Sequence, residues 1–209
     1  MTFVVAHRAG NDLALLQEAE QLGVALIEAD VRLWRGRLEV RHLKTVGPLP
    51  ILWDRWRLAN PFAPRLELRE LLAAARGSTE LLLDLKGRDR RLSELVLAQL
   101  PPGRQVTVCA RSRGLLEPFA ELEHVRLLQS VGSLRQLRTL LGTADGLVLD
   151  GVSIHERLLD ERVAAELLRY GATVVTWPVN TLWRARELAL LGVHGLISDR
   201  PAALLGRAG

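Results

Sequence analysis

The sequence has little cysteine, few aromatic residues and no long apolar run. Cys109 is the one cysteine among 209 residues, so an internal disulfide framework is excluded and a reducing, cytoplasmic location is expected. No apolar stretch approaches the ~20 residues that cross a bilayer, and the N-terminus lacks the basic start and apolar core of a secretory signal. The sequence therefore predicts a protein without stable membrane insertion.

Lysine is also scarce. Only Lys44 and Lys86 stand among 28 basic residues, and the arginines are spread along the chain. The net charge is +4 and the pI is near 10.1, but no basic run with interleaved aromatics marks a nucleic-acid interface. A mildly positive surface favours an anionic small-molecule substrate instead.

The apolar residues form an alternating series of predicted strands and helices. The predicted strands are 3–7, 26–31, 81–86, 105–109, 125–129, 146–150, 172–177 and 195–199. The predicted helices are 11–21, 66–76, 90–100, 113–122, 133–141, 156–170, 182–191 and a short one from 201. Such alternation implies a parallel sheet, and eight units predict a closed (β/α)₈ TIM barrel, a single domain over residues 1–209. An open doubly wound sheet is the alternative, but no G-x-G-x-x-G loop follows the first strand.

Two segments need separate interpretation. Residues 38–42 alternate between apolar and charged side chains, which predicts a further extended piece that ends in His42. The proline-rich stretch 44–64 predicts a short irregular excursion with one helical turn, in which Trp53 and Trp56 share a face. Asn11 is the predicted N-cap of the first helix.

The second predicted strand ends in two carboxylates. Glu28 and Asp30 lie two residues apart, so they point to the same side of a strand. Adjacent like charges repel, and this raises the pKa of one of them unless a cation lies between them. The pair by itself fits either a site or an ordinary exposed strand end.

The barrel prediction adds further polar residues to this pair. Barrel enzymes build their sites at the C-terminal ends of the strands, where this chain carries titratable groups after apolar strand bodies. Glu28, Asp30 and Asp84 would supply oxygen ligands, which select a hard divalent cation such as Mg²⁺ or Ca²⁺. Lys86 and Arg8 would bind phosphate oxygens, and His7 and His42 would act as general base and general acid. Together these groups describe hydrolysis of a phosphate ester.

The motifs in order resemble those of the glycerophosphodiester phosphodiesterases. Residues 7–10, 28–31, 40–42 and 84–86 resemble the family's H-R-x-G, E-x-D-V, V-x-H-D and E-x-K motifs in turn. Residues 176–180 resemble T-W-x-V-N, and residues 192–201 resemble G-V-D-G-I-I-T-D-x-P. The matches run from residue 7 to 201, and the ordered set is more specific than any single motif.

The resemblance implies a fold, an activity and a set of roles. The family is a (β/α)₈ barrel that cleaves glycerophosphodiesters to glycerol 3-phosphate and an alcohol with a divalent cation. On this basis the acid–base pair, the metal ligands and the phosphate contacts are those named above, and Trp177 lines the substrate cleft. The sequence departs from the motifs at Leu43, where Asp is usual, at Asp84, where Glu is usual, and at His194, where Asp is usual.

Several residues are predicted to lie outside the site, and other functions stay open. His124, His155 and His194 are predicted to be structural or solvated, and Asp199 is predicted to cap the last helix. The open alternatives are a phospholipase D-like or cyclising phosphodiesterase that acts on lysophospholipids, a decarboxylase-type barrel and a non-catalytic barrel that binds a phosphorylated ligand. The released alcohol, the ion and the oligomeric state do not follow from the sequence.

Overall fold

The computed structural model describes residues 2–46, 49–54, 57–59, 65–142, 147–169 and 172–207. These residues form twelve strands: β1 (Phe3–Ala6), β2 (Leu26–Trp34), β3 (Arg37–Val40), β4 (Lys44–Val46), β5 (Leu49–Asp54), β6 (Arg57–Ala59), β7 (Glu80–Leu85), β8 (Val106–Ala110), β9 (Val125–Val131), β10 (Gly151–His155), β11 (Thr173–Trp177) and β12 (Gly195–Ser198). The α-helices are α1 (Leu13–Leu22), α2 (Leu68–Ala74), α3 (Arg91–Gln99), α4 (Leu134–Gly142), α5 (Glu161–Arg169), α6 (Leu182–Leu190) and α7 (Pro201–Leu204). None of the described helices combines the length and the apolar composition needed to cross a membrane.

Eight parallel strands close into a barrel. Their order is β1-β12-β11-β10-β9-β8-β7-β2, and β2 pairs back with β1 through Val5↔Leu26 and Ala6↔Ile27. The predicted TIM barrel is therefore confirmed, and the open sheet is excluded. The extent of the domain over residues 1–209 stays a prediction.

The strands alternate between the barrel interior and the surrounding helices. A layer inside the barrel takes one apolar side chain from most strands: Val5, Leu26, Leu82, Cys109, Leu128, Val175 and Ile197. The intervening residues, such as Ala29 and Leu83, point outward into the apolar layer that packs against the helices. The interior positions two residues further on point into the mouth of the barrel, because side chains repeat with a period of two along a strand.

The turn after β1 is a 3₁₀ helix, Ala9–Asn11, and it differs from the prediction. Asp12, not Asn11, is the N-cap of α1, and its Oδ1 accepts hydrogen bonds from the Ala14 and Leu15 backbone N–H groups at 2.8 and 3.1 Å. The Asn11 side chain is used elsewhere, in contacts to Asp30. Gly23 ends α1 in the left-handed conformation, as predicted.

The sixth barrel strand lies later in the chain than predicted. It is Gly151–His155, not 146–150, and residues 143–146 lie outside the described part of the chain. A Cβ at Gly151 would lie 2.0 Å from the Thr173 carbonyl oxygen, so only glycine allows this close approach of β10 to β11. The prediction was wrong because it followed the more apolar segment, 146–150. The true strand has the polar residue Ser153 among its buried positions, which weakens its apolar pattern.

Two other segments also depart from the prediction. The described part of residues 44–64 forms an antiparallel sheet of β4, β5 and β6, where an irregular excursion with a helical turn was predicted. Pro50 falls where the β4–β5 register shifts, which tolerates a residue without a backbone N–H. Trp53 lies in β5, and Trp56 lies outside the described residues. The predicted helix 113–122 consists of two short 3₁₀ helices, Arg113–Leu115 and Glu117–Phe119.

Candidate active site

A polar cleft of about 310 Å³ opens at the C-terminal ends of the barrel strands. All eight predicted site residues line it: His7, Arg8, Glu28, Asp30, His42, Asp84, Lys86 and Trp177. The structure therefore brings the predicted residues together, because the C-terminal ends of the strands of one barrel meet at the same face. Their chemical roles stay predictions.

Three carboxylates form the centre of the cleft. Glu28, Asp30 and Asp84 each offer an oxygen, and these oxygens lie within 4.8 Å of one another. Glu28 is 4% exposed and Asp30 is 1% exposed, because both lie in the part of β2 that pairs with β7. Burial, together with the negative charge of Asp30, raises the pKa of Glu28 well above its usual range.

Lys86 offsets part of this negative charge. Its Nζ lies 2.8 Å from Asp30 Oδ1 and also donates a hydrogen bond to Asp84 Oδ2. Although burial acts in the opposite direction, the three carboxylates raise the pKa of Lys86, so it stays charged. Burial would likewise raise the pKa of Asp30, but the charge of Lys86 and the hydrogen bonds from Lys86 and Asn11 bring it below its usual value.

The turn after β1 holds the carboxylates in place. The Arg8 backbone N–H donates to Glu28 Oε2 at 2.6 Å, and Arg8 has a left-handed backbone with φ 55°. Asn11 Nδ2 donates to Asp30 Oδ2 at 2.8 Å, and Asn11 Oδ1 accepts from the Asp30 backbone N–H at 2.8 Å. A Cβ at Gly10 would lie 2.7 Å from Ala29 Cβ, so glycine lets this turn pack directly on β2.

The carboxylate cluster fits a hard divalent cation. Its donors are three carboxylate oxygen groups, the type that Mg²⁺ and Ca²⁺ prefer. Asp84 Oδ1 is buried and has no hydrogen-bond partner among the described residues, which leaves an anionic oxygen for a further ligand.

The side chain of His7 is held by Asp199. His7 Nδ1 lies 2.6 Å from Asp199 Oδ1, and Asn180 Nδ2 donates to Asp199 Oδ2 at 2.8 Å. Asp199 in turn donates its backbone N–H to Asn180 Oδ1 at 2.9 Å. With the proton on Nδ1 shared with the carboxylate, the Nε2 atom of His7 is the one that can exchange a proton with a substrate. Burial lowers the pKa of His7, while the hydrogen bond that His7 donates to Asp199 partly restores it.

The prediction for Asp199 was therefore wrong. The residue at the N-cap of α7 is Arg200, which makes no side-chain capping bond, and the Asp199 side chain points to His7. The sequence carried a usable signal, because Asp199 lies two residues after the interior residue Ile197. The pattern S-D-x-P resembles a capping sequence, so the local signal outweighed the strand register.

His155 was also placed wrongly, since it was predicted to lie in a helix flank or loop. It is the last residue of β10, lines the polar cleft and packs edge-on against Trp177 with ring centroids 4.8 Å apart. Its Nδ1 accepts the Arg157 backbone N–H at 3.2 Å, so its Nε2 carries the proton in the neutral form. Burial lowers the pKa of His155, which favours this neutral form. The misplaced strand 146–150 concealed its position.

The other side of the cleft is less charged. Arg111, which lies two residues after Cys109, lines it together with Ser130 and Ser153. His194, by contrast, is a structural residue as predicted, since its Nδ1 accepts the Val174 backbone N–H at 3.0 Å. The cleft thus has an acidic side, with the three carboxylates, and a side of aromatic and hydroxyl groups.

Comparisons with known proteins give matches to the fold and none to the sequence. No protein-family model and no curated protein matches the sequence. Solved structures do match the fold, among them a phosphodiesterase from Oleispira antarctica in complex with the product sn-glycerol-3-phosphate. It is 20% identical with a TM-score of 0.73, over 99% of this chain and 96% of the other.

Two further structures give the same result. A glycerophosphodiester phosphodiesterase from Parabacteroides distasonis has a TM-score of 0.77 at 20% identity, over 98% of this chain and 95% of the other. One from Thermotoga maritima has a TM-score of 0.76 at 16% identity, over 100% and 99%. The chain therefore has the fold of the glycerophosphodiester phosphodiesterases, as the order of its motifs predicted.

Proposed function

We propose that this protein is a metal-dependent glycerophosphodiester phosphodiesterase, a phosphoric diester hydrolase. The observation that carries the proposal is one cleft that combines three clustered carboxylates, a lysine and two histidines. The fold neighbours support it, since their names include glycerophosphodiester phosphodiesterases and one of them holds sn-glycerol-3-phosphate. The expected products are glycerol 3-phosphate and an alcohol.

The cluster of Glu28, Asp30 and Asp84 would hold one divalent cation, Mg²⁺ or Ca²⁺. Such a cation, when bound, stabilises negative charge on the phosphoryl oxygens. Lys86 and Arg8 add positive charge on the same side of the cleft, where a phosphate group would lie. Trp177 would form the opposite wall with His155.

The two histidines would move the protons. In the proposed hydrolysis, one imidazole takes a proton from water as the water oxygen bonds to phosphorus. The other imidazole gives a proton to the alcohol oxygen as the phosphorus–oxygen bond breaks. His7 suits either role, because Asp199 fixes the tautomer that presents Nε2 to the cleft. His42 lines the same cleft, with Leu43 in the place where the family carries Asp.

The test is turnover of glycerophosphocholine and related diesters, with glycerol 3-phosphate assayed directly. We expect release with Mg²⁺ or Ca²⁺ and its loss in EDTA, restored by excess metal. His7→Ala and His42→Ala should each lower kcat by ~10²–10⁴. His124→Ala is the control, since His124 precedes β9 at the opposite end of the barrel.

Two results would count against the proposal. No release from any diester in the presence of metal would overturn the activity, and full activity in both histidine variants would overturn the acid–base pair. A cyclic phosphate product would identify the cyclising alternative. The cytoplasmic location stays a prediction.

A further inference from the structure

A second cavity lies outside the barrel, next to the active-site cleft. It is larger, about 670 Å³, and lies between α1 and α7. Apolar side chains make up most of its lining, including Leu15, Ala19 and Leu22 of α1 and Pro201, Ala202 and Ala203 at α7. We call it the α1–α7 groove. Cavities of this size and character commonly bind small ligands.

The α1–α7 groove and the catalytic cleft share two residues. His7 and Asp199, the hydrogen-bonded pair, line both cavities. A molecule whose reacting group lies against His7 in the cleft therefore has the groove within its reach. These shared lining residues distinguish the groove from an isolated apolar depression on the surface.

The groove also has exposed apolar residues at its rim. Leu15 and Leu182 line it and are each 48% exposed, although each is a large aliphatic side chain. Trp183, the next residue after Leu182, is 69% exposed, and Leu13 is 39% exposed. Both α1 and α6 begin on the face where the strands end, so this apolar group lies beside the mouth of the cleft. Exposed apolar residues gathered at a cavity indicate an apolar ligand.

We propose that the α1–α7 groove binds the hydrocarbon chain of an amphiphilic substrate, while the phosphodiester of that substrate lies in the catalytic cleft. The substrate class is then a glycerophosphodiester that carries one alkyl or acyl chain, either on the glycerol or on the alcohol. The inference rests on the proposed function and adds a substrate class to it. The reaction is the same hydrolysis, with water oxygen added to phosphorus and the alcohol leaving with a proton.

The test uses two series of diesters below their critical micelle concentrations. In the first series, glycerol 3-phosphate is esterified with ethanol, hexanol or decanol. In the second, the glycerol of glycerophosphocholine carries no acyl chain, a hexanoyl chain or a decanoyl chain. We expect kcat/KM to rise with chain length in at least one series, by up to about fourfold per buried methylene. Flat values in both series would overturn the proposal.

Variants locate the effect in the groove. Leu15→Asp and Leu182→Asp place a charge on the apolar wall, and both residues lie in a first helical turn, where an acid is tolerated. Each should lower kcat/KM for the longest substrate about tenfold or more and leave the shortest substrate unchanged. Leu134→Asp is the matched control, because Leu134 begins α4, is 61% exposed and lines neither cavity. An equal loss in this control would contradict the proposal.

A binding measurement separates the two proposals. Ethylphosphonate, hexylphosphonate and decylphosphonate are not hydrolysed, so their affinity can be measured by calorimetry in the metal-loaded protein. Affinity that rises with chain length and falls in Leu182→Asp supports the groove even if no diester is turned over. Turnover of glycerophosphocholine with no chain-length effect in any assay would overturn the groove and leave the proposed function intact.

Discussion

Asp199 is the residue whose position says most about how His7 would work. The carboxylate lies 2.6 Å from His7 Nδ1 and is itself fixed by Asn180. The structure thus supplies an orienting acid to His7 from the residue that follows β12. The other histidine, His42, is followed by Leu43, where the family motif has Asp.

We predict that Asp199→Asn slows the enzyme and changes its pH dependence. The hydrogen bond that His7 donates to the Asp199 carboxylate raises the pKa of His7, so its loss lowers that pKa further. If neutral His7 is required in the free enzyme, the acidic limb of the kcat/KM profile moves to lower pH. Loss of an orienting partner typically costs ~10–100-fold in rate. The measurement is the pH profile of kcat/KM.

Asp160→Asn is the control for this prediction, because Asp160 is an exposed acid outside the cleft. It should leave both the rate and the profile as in the wild type. A profile that does not move in Asp199→Asn, with kcat unchanged, would show that Asp199 does not orient a reacting histidine.

At the level of the strands and helices, the sequence predicts the barrel and the position of its polar cleft well. Apolar strand bodies and helix stops such as Gly23 gave the eight units, and strand ends gave the eight predicted site residues. These features follow from short-range patterns, since parallel strands that end in polar residues must meet at one edge.

The errors at the level of elements have a common physical cause. Residues 146–150 are more apolar than β10, but the close approach to Thr173 selects Gly151 and the barrel interior accepts Ser153. Asp199 resembles a helix cap, but its partner is His7, 192 positions away. Such choices depend on neighbours distant in the sequence, and local patterns do not contain them.

The 3₁₀ turn after β1 links packing to the site, and Gly10 tests this link. A Cβ at Gly10 would lie 2.7 Å from Ala29 Cβ and 3.1 Å from the Glu28 carbonyl oxygen. Gly10→Ala must therefore displace the turn, which carries the hydrogen bonds from Arg8 to Glu28 and from Asn11 to Asp30. We expect about 1–3 kcal/mol lower stability in urea unfolding and a loss of activity.

Gly142→Ala is the matched control for the turn. Gly142 ends α4, and nothing lies within 4 Å of a Cβ placed there. Its stability should stay the same or rise slightly, since alanine favours the helix. Wild-type activity and stability in Gly10→Ala would mean that the turn has room to spare and does not hold the carboxylates.

At the scale of the whole molecule, the acidic cluster is a local concentration of negative charge in a protein of net charge +4. Because Lys86 contacts Asp30 and Asp84, the barrel can fold around the cluster before a cation arrives. A ligand that binds the folded state alone stabilises it in proportion to the logarithm of its concentration over Kd. Metal binding should therefore be visible as stability, independently of turnover.

We predict that Mg²⁺ or Ca²⁺ raises the melting temperature of EDTA-treated protein. At about 100 times Kd the gain is ~2.7 kcal/mol, or roughly 5–11 °C for a chain of this size. Asp84→Asn should lose this gain, because Asp84 Oδ1 is a buried carboxylate oxygen without a hydrogen-bond partner among the described residues. Asp89→Asn changes an exposed acid that follows the same strand, and it should keep the gain.

Since the pKa of Glu28 is raised, protons compete with the cation at a higher pH than for an ordinary glutamate. The gain must then shrink as the pH falls, and an equal gain in Asp84→Asn would place the cation elsewhere.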